Sequence, residues 1–238
     1  MRVIAVVQAR LASTRLSGKV LAEIAGRPML AHVIERVAAI PGVDAVMLTT
    51  PREDFPQLYP MAARQLHARP FTGSAHRIGW VPHEPPDVLS GIARAAENLD
   101  ADVLLRITAD CPLLDPALAG LVLAHVLVYG VPYAHNLNPP AEWAEGLDVQ
   151  AFTREALERE VQALEGRPAS EREHPCCWMA EHEITAVIPG VDGLKDEHWM
   201  VDTPEDLERV RRIYALLTPG NFSWRHTLNG AREAGVAR

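Results

Sequence analysis

Lysine is nearly missing from this chain: among 23 basic residues only Lys19 and Lys195 are lysines, and the rest are arginines. A lysine is therefore not generic surface filler here, and Lys19 stands in the most polar loop of the N-terminal half. Cysteine is also scarce. The 3 cysteines, two of them the adjacent Cys176-Cys177, make no disulfide framework and suit a reducing cytosol. No CxxC or HxxxH spacing offers a soft metal site. A basic surplus is absent, and a net charge of −8 argues against a nucleic-acid surface, which needs a basic face. Long apolar runs are absent too. The longest, Ala117 to Val128, contains His125 and is too short for the ~30 Å core of a bilayer. The short apolar run before Gln8 reads as a strand and not as a signal peptide. Neither GxGxxG, nor a Walker A loop, nor the GxSxG hydrolase elbow occurs. These absences lead us to expect a cytoplasmic protein with neither nucleic acid nor membrane as partner.

What is present is enough apolar sequence for a full core: 48% of 238 residues, one large domain or a domain with a small appendage. Strand patterns at Val3–Val7, Ala45–Thr50 and Val103–Ile107 alternate with helix patterns at Pro28–Ile40, Pro56–His67 and Asp87–Leu99. That alternation predicts βαβ units on a mainly parallel sheet, with ligands at the carboxyl ends of the strands. From about residue 130 the pattern changes to shorter strands, Pro132–His135, Leu147–Phe152 and Ile184–Ile188, around a helix near Arg154–Leu164. We read 1–238 as a single α/β domain with a mixed-strand extension at 130–190. Pro82–Pro86 and Asn136–Glu145 read as long loops.

The strand at Val3–Val7 runs into a loop that gathers Arg10, Ser13, Thr14, Arg15, Gly18 and Lys19. Three cations, two hydroxyls and a glycine on one strand-to-helix connection suit a polyphosphate, whose oxygens can meet N–H groups, guanidinium forks and a helix N-terminus. The alternative is a solvated surface loop.

The segment QARLASTRLSGKVL (8–21) resembles the signature loop of cytidylyltransferases that activate acidic sugars, in the branch named for spore-coat polysaccharide biosynthesis protein F and related to CMP-ulosonate synthetases. The resemblance continues through RITADCPLLDP (106–116), GLDVQAF (146–152), REH (172–174) and HWMVDTPEDLERV (198–210). It implies a glycosyltransferase-A-like, three-layer fold and a reaction of CTP with a sugar to give CMP-sugar and pyrophosphate. It also implies Mg²⁺ as cofactor and a homodimer assembled through the extension. Two departures stand out: Ser17 replaces the family's usual proline, and Ser90-Gly91 replaces a usual Asp-Arg pair. The second leaves base specificity open, with UTP or GTP as alternatives. A non-catalytic nucleotide-binding protein of the same fold is the remaining rival.

Carried onto this chain, the resemblance makes Asp110 and Asp202 the metal ligands, and with Arg10 and Lys19 they form the expected catalytic set. Mg²⁺ favours one or two carboxylates plus phosphate and water oxygens. Asp110 can alternatively cap the turn at Cys111-Pro112. Thr203, Pro204 and Asp206 read as a capping box, which leaves Asp202 without a helix-starting role. Nucleotide contacts are expected from Gln8, Ala9, Arg10, Ser13, Arg15, Lys19, Thr49, Ser74, Arg77 and Arg106. Sugar contacts are expected from Asn136, Asn138, Asp148, Arg172 and His174. Arg106 can equally support its strand, and Asn138 before Pro139 can equally be a turn residue. Asp115 reads as a helix N-cap, and Cys176-Cys177 as packed and inert.

Overall fold

The computed structural model describes residues 1–67, 78–191 and 193–237. The chain opens with β1 (Val3–Gln8), then a hairpin of β2 (Glu23–Ile24) and β3 (Arg27–Pro28), helix α1 (Met29–Ala38), β4 (Ala45–Pro51) and α2 (Phe55–His67). It continues through β5 (Ile78–His83), α3 (Val88–Leu99), β6 (Val103–Thr108) and α4 (Pro116–Tyr129). The later part holds β7 (Tyr133–His135), β8 (Gln150–Thr153), α5 (Arg154–Ala163), α6 (Cys177–His182), β9 (Thr185–Val187), α7 (Pro204–Tyr214) and α8 (Trp224–Glu233).

Seven strands form one sheet in the order β5-β4-β1-β6-β8-β7-β9. β1, β4, β5 and β6 are mutually parallel, β8 runs antiparallel to β6 and β7, and β9 is parallel to β7. Strand alternation splits the core between the two faces. Val3, Ala5, Val7, Leu105 and Ile107 join one apolar cluster with residues of α1, α2, α4, α7 and α8. Ile4, Val6, Leu104 and Phe152 join the other with residues of α3, α5 and α6. Helices thus cover both faces, the layered solution to a sheet that is apolar on both sides.

The chain leaves β1 toward β4 and β5 on one side, and returns to place β6 on the other. This reversal opens a crevice at the carboxyl end of β1. The ladder extends into the loop on both sides: Ala9 N–H donates to Thr49 O (3.0 Å) and Ala109 N–H to Gln8 O (3.0 Å).

Three expectations need correction. The loop after β1 leads into a single 3₁₀ turn at Lys19–Leu21 and the small hairpin, and the first α-helix begins only at Met29. No helix N-terminus follows the loop directly. Pro82–Pro86 is not wholly loop, because β5 runs through Pro82 to His83. A proline is tolerated there because β5 is the last strand at one margin of the sheet. Cys176 is buried with its thiol pushed up by burial, but Cys177 is exposed. Among the described residues no helix is long and apolar enough to cross a membrane.

Candidate active site

The crevice is a cleft of about 960 Å³ lined by residues of the loop after β1, the end of β6, and the segments at 173–174 and 200–202. That volume lies within the range of small-molecule sites. The loop is held in a fixed shape: Leu11 N–H donates to the buried Asp54 carboxylate (2.8 Å), and Gly18 N–H turns back to Leu11 O (2.9 Å).

Lys19 is the centre of the cleft. Its Nζ donates to Asp110 Oδ2 (2.9 Å), Asp202 Oδ1 (2.7 Å) and Val201 O (2.8 Å). Residues 91 and 183 positions apart in the chain thereby meet on one ammonium. Burial by itself would lower the Lys19 pKa, but the charges and hydrogen bonds of Asp110 and Asp202 outweigh it, and the pKa is raised. Burial likewise pushes the Asp110 carboxyl up, yet Lys19 and Thr108 hold it below its ordinary value. Asp202 also takes Arg15 Nη2 on its second oxygen (2.7 Å). Arg10 reaches across the cleft mouth to Glu173 (3.1 Å).

Helix caps aim these acids. In α7 the Thr203 hydroxyl and the Asp206 carboxylate complete a reciprocal capping box, and Asp206 Oδ2 also accepts Asp202 N–H (3.2 Å). Val201 N–H donates to Asp110 O (2.9 Å), tying this segment to the end of β6. Gly146, at φ +101°, lies so close to residues 199–200 that a Cβ would sit 2.6 Å from Met200 N. Glycine there lets the Glu145–Leu147 loop pack directly behind the Asp202 segment.

Gln8, Ala9, Arg10, Ser13, Arg15, Lys19, Arg106, Asp110, His174 and Asp202 all line the cleft. Others do not. Thr49 is fully buried, its hydroxyl 3.1 Å from His83 Nδ1, and Gly91 packs so closely on it that a Cβ would lie 2.3 Å from Thr49 Oγ1. The glycine that departs from the family pattern thus makes room for a closed Thr49–His83 contact, and Thr49 is not among the residues that line the cleft. Asn136 is also fully buried and serves the chain itself, donating to Leu147 O (2.8 Å) and accepting from Val149 N–H (2.7 Å). Asn138 donates to Lys195 O (2.9 Å). Asp148 accepts Gly146 N–H (2.8 Å), and burial pushes its carboxyl up to about 6. Arg172 pairs with Asp87, the N-cap of α3, at 3.0 Å. Ser74 and Arg77 lie outside the described residues.

Sequence reasoning passed over Thr108, Glu173, Gln150 and Asp54. Thr108 and Glu173 sit inside the quoted motifs, so their position there was the available signal. Gln150 likewise sits inside a quoted motif, whereas Asp54 acts only through its contact with Leu11 and left no signal.

The donor set suits a hard cation. No group of three or more candidate ligands occurs among the described residues, so an ion held by Asp110 and Asp202 would need phosphate and water oxygens to fill its shell, a mixture that Mg²⁺ accepts. A cation already occupies this position in the form of the Lys19 ammonium, which is consistent with a place built for positive charge.

The model of the cytidylyltransferase family matches residues 4–213. A 3-deoxy-manno-octulosonate cytidylyltransferase from Chlorobium phaeobacteroides is 34% identical, with 90% of this chain and 97% of that protein covered. One of the same description from Geotalea uraniireducens is 37% identical over 118 residues, which span 50% of this chain and 42% of that protein. The first relatives of this kind are thus matched over less than half their length. Among solved structures, a cytidylyltransferase from Leptospira borgpetersenii superposes with a TM-score of 0.85 at 22% identity, over 100% of this chain and 97% of that one. This likeness establishes the fold, the glycosyltransferase-A-like arrangement that the motifs imply.

Proposed function

The chain belongs to the cytidylyltransferase family, and from that premise we propose that it joins CTP to an acidic sugar, releasing pyrophosphate and a CMP-sugar for glycan or polysaccharide synthesis. The observation that carries the reading is the meeting of Asp110, Asp202 and Lys19 beside a loop rich in arginine. A sugar hydroxyl attacks the α-phosphorus, the new P–O bond forms as the bond to pyrophosphate breaks, and the hydroxyl proton leaves to solvent. Such a transfer is catalysed by positioning and charge neutralisation, with no covalent enzyme intermediate.

Arg10 and Arg15 are about half exposed or more, and exposed ion pairs are worth only ~0–1 kcal/mol. They can exchange Glu173 and Asp202 for phosphate oxygens at little cost. Lys19 is different, being nearly buried against both acids. It holds the two carboxylates together before the nucleotide arrives and offsets their repulsion. Asp110 and Asp202 are the residues that would hold Mg²⁺, which when bound supplies Lewis-acid polarisation of phosphoryl oxygens. Ala9 and the loop N–H groups, with Ser13, face the same phosphates.

The extension is the surface proposed for a homodimer. β9 ends the sheet opposite β5, and Ile184 (76% exposed) and Val187 (40%) lie along it. Trp143 has no part in this surface, since it is buried and packs edge-on against Trp224.

The test is incubation with Mg²⁺, a panel of sugar acids and CTP, UTP or GTP in turn, reading the nucleotide-sugar by mass. CMP-sugar formed from CTP in clear preference is the expected result. Product from UTP or GTP alone would overturn the base assignment, and no product from any pair would overturn the reaction.

A further inference from the structure

The cations of the cleft differ in one respect. Lys19 and Arg15 are paired with Asp110 and Asp202, and Arg10 with Glu173. Arg106, on the cleft floor, has no carboxylate partner among the described residues. Its Nη1 donates to Gln150 Oε1 (2.5 Å) and its Nη2 to Gln8 Oε1 (3.0 Å), both neutral amides. Its Nε is buried and without a partner. A guanidinium offers five N–H donors, so these two bonds hold the fork while leaving donors free along its edge.

The sheet register explains the placement. Gln8 lies opposite Thr108, and Arg106 opposite Gln150, all on the face whose deeper positions are the apolar Ile4, Val6, Leu104 and Phe152. The acid that acts on Arg106 from nearby is Glu160, which lies beyond ion-pair distance and spends both carboxylate oxygens on Cys176 N–H (2.9 and 3.1 Å). Gln150 is fixed in turn by donating to Tyr133 OH (2.6 Å). A half-buried positive charge held rigidly by neutral groups lacks its counter-charge, and leaving one so is costly unless a ligand completes it.

We propose that Arg106 is the residue that reads the carboxylate of the acceptor, accepting it edge-on across its free N–H donors and so selecting sugar acids over neutral sugars. This rests on the cytidylyltransferase reading and adds a specificity-determining residue to it. The location favours acceptor over nucleotide: Arg106 bridges β1 to the antiparallel β8, on the side of the sheet away from β4 and β5, whereas the phosphate-loop cations cluster at the end of β1. A nucleotide phosphate is the other source of the same negative charge, and the test separates the two.

Arg106→Gln and Arg106→Lys are compared with the wild-type protein after circular dichroism shows equal folding. CTP affinity is measured by calorimetry without acceptor, and the acceptor KM is measured for a sugar acid and for its carboxamide. Losing a charge-assisted pair predicts a roughly ten- to hundredfold rise in sugar-acid KM for Arg106→Gln. CTP affinity should stay within about twofold, preference for acid over amide should collapse, and Arg106→Lys should recover part of it. A weakened CTP affinity with unchanged sugar-acid KM overturns the proposal, as does preserved acid-over-amide preference in Arg106→Gln. Binding of pyruvate and of inorganic phosphate to the CTP-loaded protein, read by thermal shift, keeps the proposal separate from the reaction itself. If no sugar acid is turned over but pyruvate protection is lost in Arg106→Gln, the reaction reading falls and the carboxylate site stands. Equal pyruvate protection in both proteins, or Arg106-dependent protection by phosphate alone, overturns the site.

Discussion

The cleft edge at the carboxyl ends of β1 and β6 and the extension built on β7 and β8 both carry polar residues that the motifs pick out, and the fold uses them in opposite ways. At the cleft edge the partners are remote in sequence: Lys19 meets Asp110 and Asp202, and Arg10 meets Glu173. In the extension Asp148 bonds Gly146 within one turn and Asn136 bonds Leu147 and Val149, 11 and 13 residues on, all inside the extension itself, while Asn138 reaches Lys195 O. A buried polar group must find partners or lose ~1–3 kcal/mol. When a neighbouring turn supplies them, the residue builds the fold. When charged side chains from several distant segments meet at the wall of a cleft, they form a polar meeting point that a ligand can enter.

The largest effect should come from the remote set. Asp110→Asn and Asp202→Asn should each lower turnover by ~100-fold or more, while the double variant is little worse than either, because both act through one centre. Additive losses would break the picture of a single shared position. Lys19→Ala should follow with a loss of roughly ten- to hundredfold, against no measurable change for the exposed Lys195→Ala. Equal effects of the two lysine variants would remove Lys19 from the site.

The local set should answer in stability instead. Asn136→Ala strands Val149 N–H and Leu147 O in the interior, so its urea midpoint should fall by an amount equivalent to about 2–4 kcal/mol, with the KM for CTP of the folded protein unchanged. A raised KM without lost stability would return Asn136 to the substrate. The smallest effect concerns Glu160. Burial, partly offset by the N–H groups of Cys176 and Trp178 and by Arg106, raises its carboxyl from 4.5 to about 7. A raised acid contributes stability that is present below its unfolded value and lost as pH rises through the folded one. Wild type should therefore lose stability progressively between pH 4.5 and 7 relative to Glu160→Gln. Parallel pH profiles of the two proteins would show that Glu160 is ionised in the fold.

Much of the fold was legible because its signals are local. Apolar runs marked β1, β4 and β6 within a residue or two of their limits, and Asp115 and the Thr203–Asp206 box announced α4 and α7 in the right register. β5 was hidden by Pro82, whose place at the sheet margin only strand order reveals. In the site, residue types and motif order pointed to Arg10, Arg15, Lys19, Asp110 and Asp202, but their pairing was out of reach. Lys19 looked like one more phosphate ligand, and its hold on both aspartates depends on segments 91 and 183 residues away.

The sequence by itself pointed to an anionic ligand, since a cationic loop follows the first strand, whereas the metal role expected of Asp110 and Asp202 came from the resemblance of their motifs alone. Tertiary structure alone decided which polar residues are free to act. Thr49 and Asn136 are consumed by buried hydrogen bonds, whereas Arg106 has only neutral amide partners among the described residues. The physical reason is that satisfaction of a polar group is a property of its three-dimensional neighbours, and sequence spacing specifies those neighbours only within a turn or a helix cap.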